Sequence, residues 1–475
     1  MTDPISRRSA IGLGLLGVGS LGLGVAGVAS SGFRSGPWAT TAPGGAAAAS
    51  WSEPTVLASS GGALTCELTV SETQIDVGGS SARMLAYNGA VPGPTLHLRP
   101  GDTLRIHLTN GLEEPTNVHT HGLLVSAEGN GDNPFVSVEP GESFDYEISL
   151  PDDHPHGVFW YHPHRHGFVA DQLFGGLYGA IVVDEEDWSE GAPRIVVVSD
   201  VTLSGGAVAA VSDAERRRGR VGEVVLANGL VAPPLAVSPG RTERLLIVNA
   251  CASRYLDLGG LAMSVRGVDS GAFIPPRAVD RLVLAPGNRA DVLVEGPERP
   301  TSLVARAYER GGGGMGMMGA VAPEVDATIL RLVPDASAHP SPVAPSRDSP
   351  RDLSDAHVDR ARTLTFTMGM GRGMTFLIDG LAFDPDRVDH TVELDTVEEW
   401  TLVNATMMDH PFHLHIWPMQ LVGHEGVDFR DVVDVPAGSS VTVRIAFDRF
   451  PGRTVYHCHI LDHEDLGMMG VVQAR

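Results

Sequence analysis

One pattern occurs three times along the 475-residue chain and limits the folds open to it. An Asn-Gly or Asp-Gly dipeptide is followed by a proline and then by alternating apolar residues that end at an asparagine. Short alternating runs punctuated by glycine and proline are typical of β-sandwich strands. A repeat this long indicates duplication of a whole domain rather than a solenoid. The copies span residues 87–110, 227–249 and 378–404.

We therefore predict an all-β fold of three β-sandwich domains. The domains are predicted to span residues 50–187, 188–335 and 360–475. The stretch 336–359 is rich in proline, serine and aspartate, which is typical of a linker.

Residues 1–49 are predicted to form an export signal and a disordered N-terminus. Arg7 and Arg8 precede a Gly/Leu/Val-rich run from 11 to 28, and this pattern resembles a bacterial twin-arginine signal. The run is short and rich in glycine, which favours cleavage, near Ala29, over a lasting membrane span. We therefore expect a periplasmic, extracellular or cell-surface protein.

The charge balance argues against one class of partner. The chain has 34 basic and 58 acidic residues, a formal net charge of −24. Nucleic acids are bound by basic surfaces, because their phosphates are negative, so we expect no nucleic-acid partner. An acidic surface favours solubility. The sequence leaves the oligomeric state open, and a monomer is favoured.

Histidine is unevenly distributed. None of the 19 histidines lies between Gly167 and Ala338, so the middle domain offers no imidazole to a metal and is interpreted as a spacer. The outer domains carry four His-x-His pairs, and alternate side chains of a strand share a face. One pair is weak evidence, but four pairs divided equally between two copies of a domain favour a shared metal site. The pairs are His119 and His121, His162 and His164, His413 and His415, and His457 and His459.

Cys458 stands inside the last pair, in the run YHCHILDHEDLGMM. On an extended strand the sulfur faces away from the two neighbouring imidazoles, so the three residues can serve two metal sites back to back. His463 and Met468 follow, and His410 precedes the third pair. Two imidazoles, a thiolate and a weak axial methionine form the ligand set of blue-copper electron-transfer sites.

Together these motifs resemble the three-domain multicopper oxidases, which include laccases and bacterial copper-efflux (cuprous) oxidases, over nearly all of the mature chain. The resemblance implies three cupredoxin-like Greek-key sandwiches and four copper ions. It also selects His162 and His164 over His166, which strand periodicity alone does not, and leaves His154 and His156 as non-ligands. The implied ligands are His410, Cys458, His463 and Met468 for type 1 copper; His119 and His413 for type 2; and His121, His162, His164, His415, His457 and His459 for the type 3 pair.

The implied activity is one-electron oxidation of a small reducing substrate at the type 1 copper. This oxidation is coupled to four-electron reduction of O2 to water at the three-copper cluster, and the expected donors are phenols or aromatic amines, as for a laccase. Reduction of O2 consumes protons, so carboxylates are expected near the cluster. Glu464 matches a family acid with that role, and Asp132 is the second candidate.

Two alternative functions remain open from the sequence. The Met/Gly stretches 311–319 and 367–374 offer thioethers that suit Cu(I), so oxidation of Cu(I) for copper detoxification is one alternative, although gap-filling loops explain them equally well. Thr406 stands where the cuprous oxidases carry a substrate-binding acid, which weakens this alternative. A copper store or carrier without oxidase activity is the other, but it would not need the histidine cluster.

Cys66 and Cys251 remain once Cys458 is assigned to copper. Disulfides are permitted outside the cytoplasm, and the sequence does not give the distance between the two residues. A disulfide and two separately buried thiols therefore both remain open.

Overall fold

The computed structural model describes residues 50–186, 188, 192–311, 324–341, 351–370, 374–424 and 426–475. The predicted signal segment and most of the first Met/Gly stretch lie outside these ranges. In the described parts of the chain, strands dominate, and none of the helices has the length and hydrophobicity needed to cross a bilayer.

The first part of the chain contains twelve strands and one short helix. They are β1 (Val56–Ala58), β2 (Ala63–Val77), β3 (Ser80–Tyr87), β4 (Thr95–Leu98), β5 (Thr103–Asn110), β6 (His119–His121), β7 (Ser143–Ser149), β8 (Gly157–His162), α1 (Val169–Gly175), β9 (Gly179–Val183), β10 (Arg194–Val201), β11 (Leu203–Ser204) and β12 (Ala207–Val208). All but β10 form two sheets, in the orders β1-β4-β9-β8-β6 and β11-β12-β3-β2-β5-β7. The two-stranded ribbon β11-β12, from the predicted middle domain, thus extends a sheet of the first sandwich.

The middle part joins β10 to ten further strands. The chain continues through one short helix and these ten strands, which are α2 (Asp213–Arg218), β13 (Val224–Ala227), β14 (Pro234–Val237), β15 (Thr242–Asn249), β16 (Leu256–Gly259), β17 (Met263–Val268), β18 (Gly271–Val279), β19 (Leu282–Leu284), β20 (Arg289–Glu295), β21 (Thr301–Arg306) and β22 (Ala327–Pro334). The sheets have the orders β13-β10-β15-β20-β17-β18 and β14-β22-β21-β16-β19.

The last part repeats the arrangement. Its elements are β23 (Arg360–Met370), β24 (Met374–Ile378), β25 (His390–Val392), β26 (Thr396–Asn404), β27 (His410–Leu414), β28 (Met419–Leu421), β29 (Phe429–Arg430), β30 (Val432–Val435), β31 (Ser440–Phe447), β32 (Gly452–Cys458), α3 (Leu461–Asp465) and β33 (Met469–Ala474). The sheet orders are β24-β23-β26-β31-β28-β29 and β25-β33-β32-β27-β30.

Each pair of sheets encloses its own hydrophobic core, to which both sheets contribute buried side chains. Burial of apolar surface at about 25 cal/mol per Å² drives this packing. The predicted all-β fold of three sandwiches is therefore confirmed, whereas the domain limits given above stay a prediction. Leu353, inside the predicted linker, is buried, and its N–H donates to Oε1 of Gln420 at 2.6 Å.

The repeated dipeptide is a repeated turn. Asn88, Asn228 and Asp379 adopt left-handed φ values of 52°, 51° and 52°, and the glycine after each has φ of 74°, 77° and 76°. Two consecutive positive φ values define the tight hairpin turn that favours Asn-Gly and Asp-Gly. In every copy the turn side chain accepts a backbone N–H from a neighbouring strand at 2.7–2.8 Å. The triplication read from the sequence is thus a structural triplication.

Candidate metal centres

Eight imidazoles from the first and last sandwiches meet in one buried cluster. Five lie on two antiparallel strand pairs: β6 with β8, where His119 lies opposite His162, and β27 with β32, where His413 lies opposite His457. The other three, His164, His415 and His459, follow within two residues of the ends of β8, β27 and β32. Rings from the two sandwiches stack on each other. The ring centroids of His121 and His413 are 3.9 Å apart with an interplanar angle of 12°, and those of His119 and His415 are 4.0 Å apart with an angle of 20°. The four His-x-His pairs therefore converge on the boundary between two sandwiches.

Three of these imidazoles direct their Nε2 atoms toward a common point. The Nε2 atoms of His164, His415 and His457 are 3.1–3.3 Å apart. Hydrogen bonds do not satisfy all three, because a neutral imidazole carries only one N–H. Nitrogen ligands bonded to one metal ion at about 2 Å lie about 3 Å apart, so this spacing fits a shared ion.

Other ring nitrogens of the cluster are buried and have no hydrogen-bond partner among the described residues. Buried polar atoms are normally paired, and neutral imidazole nitrogens are common metal ligands. Burial lowers the pKa of all eight imidazoles, which keeps their lone pairs free for a metal. The unpartnered atoms are Nε2 of His119, His162 and His413, Nδ1 of His415, and both ring nitrogens of His121 and His459.

Oxygen atoms outside the cluster orient several rings through Nδ1. His413 Nδ1 lies 2.7 Å from the carbonyl oxygen of Asp431, and His162 Nδ1 lies 2.8 Å from that of Pro163. A metal-binding histidine usually donates its second N–H to such an oxygen, which fixes the tautomer and the ring orientation. In both rings the unpartnered Nε2 is then left for the metal.

A second group lies on the other side of β32. Sγ of Cys458 is 3.4 Å from Nδ1 of His410 and 3.9 Å from Nδ1 of His463, and these two nitrogens are 3.4 Å apart. Met468 is fully buried in the same core, and its carbonyl accepts the N–H of Cys458 at 3.0 Å. A thiolate with two imidazoles suits copper, so the donor set fits the ion that the sequence resemblance implies.

The two predicted carboxylates both lie at the eight-imidazole cluster. Asp132 accepts from Nδ1 of His119 at 2.9 Å and from the N–H of Thr120 at 2.7 Å. Glu464 is fully buried, with one oxygen 3.1 Å from Nδ1 of His457 and the other 3.6 Å from Nε2 of His164. Burial raises the pKa of each carboxyl to about 7.

The three histidines that the resemblance leaves as non-ligands belong to none of the metal-capable groups among the described residues. Nε2 of His154 accepts the N–H of Leu124 at 3.0 Å, and the ring of His166 packs on Phe383. Within the same residues, the predicted middle domain contributes no member to these groups. Several imidazoles belong to more than one of these groups. The assignment of each of the eight rings to a particular ion therefore follows the family pattern.

Cys66 and Cys251 are free, buried thiols in different hydrophobic cores. The disulfide alternative is therefore excluded.

The main-chain carbonyls that contact the imidazoles had no signal in the sequence. The carbonyl of Asp431 binds His413, and the carbonyl of Arg217 lies 3.2 Å from Nε2 of His463. Any residue can supply a carbonyl, so residue identity gives no signal for such contacts.

Three cupredoxin-like sandwiches, a thiolate–imidazole group and an imidazole cluster between the first and last sandwiches define a class of protein, the copper oxidoreductases of cupredoxin type. Comparison with known proteins gives the particular family.

Family models described as multicopper oxidase match residues 69–187, 182–309 and 355–475. The multicopper oxidase mco of Staphylococcus haemolyticus is 27% identical over 409 residues, which cover 82% of this chain and 83% of the relative. The laccase of Bacillus subtilis is 26% identical over 472 residues, with coverage of 82% and 90%. A solved multicopper oxidase from Campylobacter jejuni, described as a metallo-oxidase, has a TM-score of 0.76 at 27% identity and covers 92% of this chain and 99% of its own.

The chain belongs to the multicopper oxidase family. It is an oxidoreductase that depends on copper, and the resemblance drawn from its motifs is confirmed.

Proposed function

We propose that this chain is a laccase-like multicopper oxidase with four copper ions, one in the Cys458 group and three in the eight-imidazole cluster. It takes single electrons from phenols or aromatic amines and delivers them to O2. Bound copper supplies the one-electron acceptor and the centre at which O2 is reduced to water. The protein supplies geometry, access and protons.

One observation carries the proposal, namely the position of Cys458 between two histidines of the cluster. Its sulfur lies 3.4 Å from Nδ1 of His410, while Nε2 of the preceding His457 lies 3.1 Å from Nε2 of His164. One stretch of backbone thus contributes to both groups and forms a short covalent path between them. A copper store has no need of such a path.

The ligand roles follow the family pattern, residue by residue. The close approach of three Nε2 atoms supports a shared ion for His164, His415 and His457. The proposed ligands are His410, Cys458, His463 and Met468 for type 1 copper; His119 and His413 for type 2; and His121, His162, His164, His415, His457 and His459 for the type 3 pair.

The two carboxylates have different proposed roles. Asp132 holds Nδ1 of His119 and is itself held by the N–H of Thr120, so it orients a ligand. Both oxygens of Glu464 are buried beside two imidazoles and, in the part of the chain that the structure describes, have no hydrogen-bond partner. Glu464 is therefore placed to hold a proton at the cluster and to deliver it during O2 reduction.

Contacts around the Cys458 group support phenols over Cu(I) as the donor. Thr406 occupies the position of the cuprous oxidases' acid, and its hydroxyl is already bonded to His410. The neighbouring Asp409 accepts from the N–H of Ala437 at 2.9 Å and from the hydroxyl of Tyr308 at 3.2 Å. Neither side chain offers a free carboxylate to an incoming Cu(I) ion.

Copper loading of the purified protein tests the assignment. We expect four copper ions per chain, the intense blue absorption of a thiolate–copper(II) site, and oxygen uptake with a phenolic dye. Cys458→Ser should abolish the blue colour. His457→Ala should keep the colour and lose oxygen uptake, since it removes a ligand of the cluster only. Oxygen uptake by a protein without blue absorption would contradict the proposal.

Steady-state kinetics decide the donor. Phenol and Cu(I) are compared as substrates, before and after deletion of residues 311–319. We expect the phenol to be the better substrate and its rate to survive the deletion. A higher rate with Cu(I) that falls on deletion would instead establish a cuprous oxidase.

We also propose that residues 1–49 direct twin-arginine export and that the mature protein is a monomer outside the cytoplasm. The paired Arg7 and Arg8 before an apolar run support export by this route. The double variant Arg7→Lys/Arg8→Lys should accumulate inside the cell, as shown by fractionation. Export that continues unchanged would exclude this route, and light scattering measures the mass of the mature protein.

A further inference from the structure

Arg289, at the start of β20 in the middle sandwich, is a fully buried cation that connects all three sandwiches. Its Nη1 and Nη2 donate to the two carboxylate oxygens of Asp431 in the last sandwich at 2.5 and 2.6 Å. Its Nε donates to the carbonyl of Val158 in the first at 3.3 Å. Within the middle sandwich, Nη1 and the backbone N–H bind one oxygen of Asp269 at 3.2 and 3.0 Å.

Asp431, the acid held by Arg289, lies directly against the imidazole cluster. Its carbonyl oxygen is 2.7 Å from Nδ1 of His413. Its Oδ1 is 3.6 Å from Nδ1 of His121 and 3.9 Å from Nδ1 of His413. A ligand atom from each of the two histidines and one from Asp431 lie within 4.8 Å of one another. The carboxylate is therefore close enough to compete with imidazole for a metal ion.

Two glycines make the space in which this contact occurs. Gly122 follows His121 and has a left-handed φ of +86°; a Cβ there would lie 2.3 Å from Nη2 of Arg289. Gly287 has φ of +90°, and a Cβ there would lie 2.8 Å from the ring of His459. Any larger residue at either position would displace the guanidinium or an imidazole. Gly122 thus leaves room for the guanidinium beside the cluster, and Gly287 leaves room for the ring of His459.

The guanidinium engages both oxygens of Asp431 at once. Arginine and carboxylate pair through two parallel hydrogen bonds, which fix orientation as well as charge. The Ser270 hydroxyl also donates to Oδ2 of Asp431, at 3.2 Å, so both carboxylate oxygens already accept hydrogen bonds from other side chains. Asp269 provides the second counter-charge, and its other oxygen accepts the N–H groups of Asp431 and Val432 at 3.2 Å. The peptide that carries the Asp431 carbonyl is therefore fixed from both ends.

We propose that Arg289 is a positioning residue of the copper cluster. By clamping Asp431 it fixes the carbonyl that orients His413 and withholds the carboxylate from the metal. The middle sandwich, interpreted from sequence as a spacer without imidazoles, thereby controls the coordination of copper held by the other two. This inference rests on the proposed assignment of the eight imidazoles to copper.

Arg289→Lys tests the inference because it keeps the positive charge and removes the bidentate hydrogen bonding to Asp431. Arg244→Lys is the matched control, since Arg244 is a buried partner of Asp291 with hydrogen bonds at 3.0 and 3.1 Å. Within the described ranges, its hydrogen-bonded partners include no histidine. The readouts are copper per chain, the blue absorption and the electron paramagnetic resonance signal of the type 2 copper. Arg289→Lys should keep the blue absorption, change the type 2 signal and lose about 10- to 100-fold in copper affinity at the cluster. The control should change none of these.

A full copper complement and an unaltered type 2 signal in Arg289→Lys would show that the residue only ties the sandwiches together. If that variant does not fold, Arg289→Gln/Asp431→Asn replaces it, because this pair leaves no lone buried charge on either of the two residues. An altered type 2 signal in the double variant supports the inference, and an unaltered one overturns it. Failure of the unchanged protein to bind four copper ions would instead refute the proposed function itself.

Discussion

The hydroxyl of Thr406 lies 2.9 Å from Nε2 of His410 and donates its own hydrogen to Oδ1 of Asn404 at 2.8 Å. The hydroxyl therefore accepts the Nε2–H of the imidazole, and Nδ1 is left facing Sγ of Cys458 at 3.4 Å. Asn404 ends the third copy of the sequence repeat, so the repeat itself supports a ligand of the Cys458 group. A single threonine thus selects the tautomer that this group requires.

Replacement of that hydroxyl should weaken copper binding at the Cys458 group. Thr406→Val keeps the shape and removes the acceptor for His410 Nε2–H, so we expect about 10- to 100-fold lower copper affinity there. A copper titration followed by the blue absorption measures the effect. Thr401→Val is the control, because the hydrogen bond of the Thr401 hydroxyl within the described residues is to that of Thr442, at 3.4 Å. Superimposable titrations for Thr406→Val and the unchanged protein would rule out this role.

Glu464→Gln should separate O2 reduction from oxidation of the donor. The side chain is fully buried beside His457 and His164, and glutamine retains its shape without a carboxyl proton. We expect copper content and blue absorption to persist while oxygen uptake falls about 10²- to 10⁴-fold. Anaerobic bleaching of the blue colour by a phenol should proceed at the normal rate, since this step precedes O2 reduction. Bleaching that slows as much as oxygen uptake would place the residue elsewhere in the reaction.

Features set by residues close together in the sequence could be predicted, whereas contacts between residues far apart in the sequence could not. Each His-x-His pair could be predicted because side-chain alternation along a strand is local. The turn dipeptides could be predicted because left-handed backbone favours Asn, Asp and Gly. In contrast, Arg289 and Asp431 are 142 residues apart and meet only after the sandwiches pack. Their pairing follows from tertiary structure, which one sequence does not reveal.

A buried ion pair beside α3 should contribute to stability. Arg220 donates from its backbone N–H, Nε and Nη2 to Asp462 at 2.6–3.1 Å, and both residues are buried. Arg220→Met leaves the Asp462 charge without its closest partner, which should cost about 3–5 kcal/mol. Thermal unfolding of the copper-free protein measures the loss. Arg220→Met/Asp462→Leu should recover much of it, because the buried Asp462 charge is removed, and Asp171, the other partner of Arg220, is half exposed and remains paired with Arg216 at 3.1 Å. A double variant no more stable than the single one would contradict this account.

Glu53 lies between Trp51 and strand β10 of the middle sandwich. Its Oε1 accepts from Nε1 of Trp51 at 2.8 Å and its Oε2 from the N–H of Ile195 at 3.3 Å. Burial nevertheless raises the pKa of this carboxyl from 4.5 to about 7, because the charged form loses its hydration. The folded protein therefore holds this proton over a pH range in which the unfolded chain has released it.

The proton held by Glu53 determines whether the free energy of unfolding rises or falls with pH. Between about pH 4.5 and about pH 7 the folded state binds more protons at Glu53 than the unfolded state, so the free energy of unfolding falls as the pH rises. Glu53→Gln has no ionisable group at this position and lacks that loss. Unfolding of both copper-free proteins by urea, at a series of pH values, gives the difference between them and cancels the contribution of every other group. We expect the stability of the unchanged protein relative to Glu53→Gln to decline across this interval and to be level on either side. Parallel stability curves, or a relative stability that rises with pH, would show that the folded state does not retain the proton.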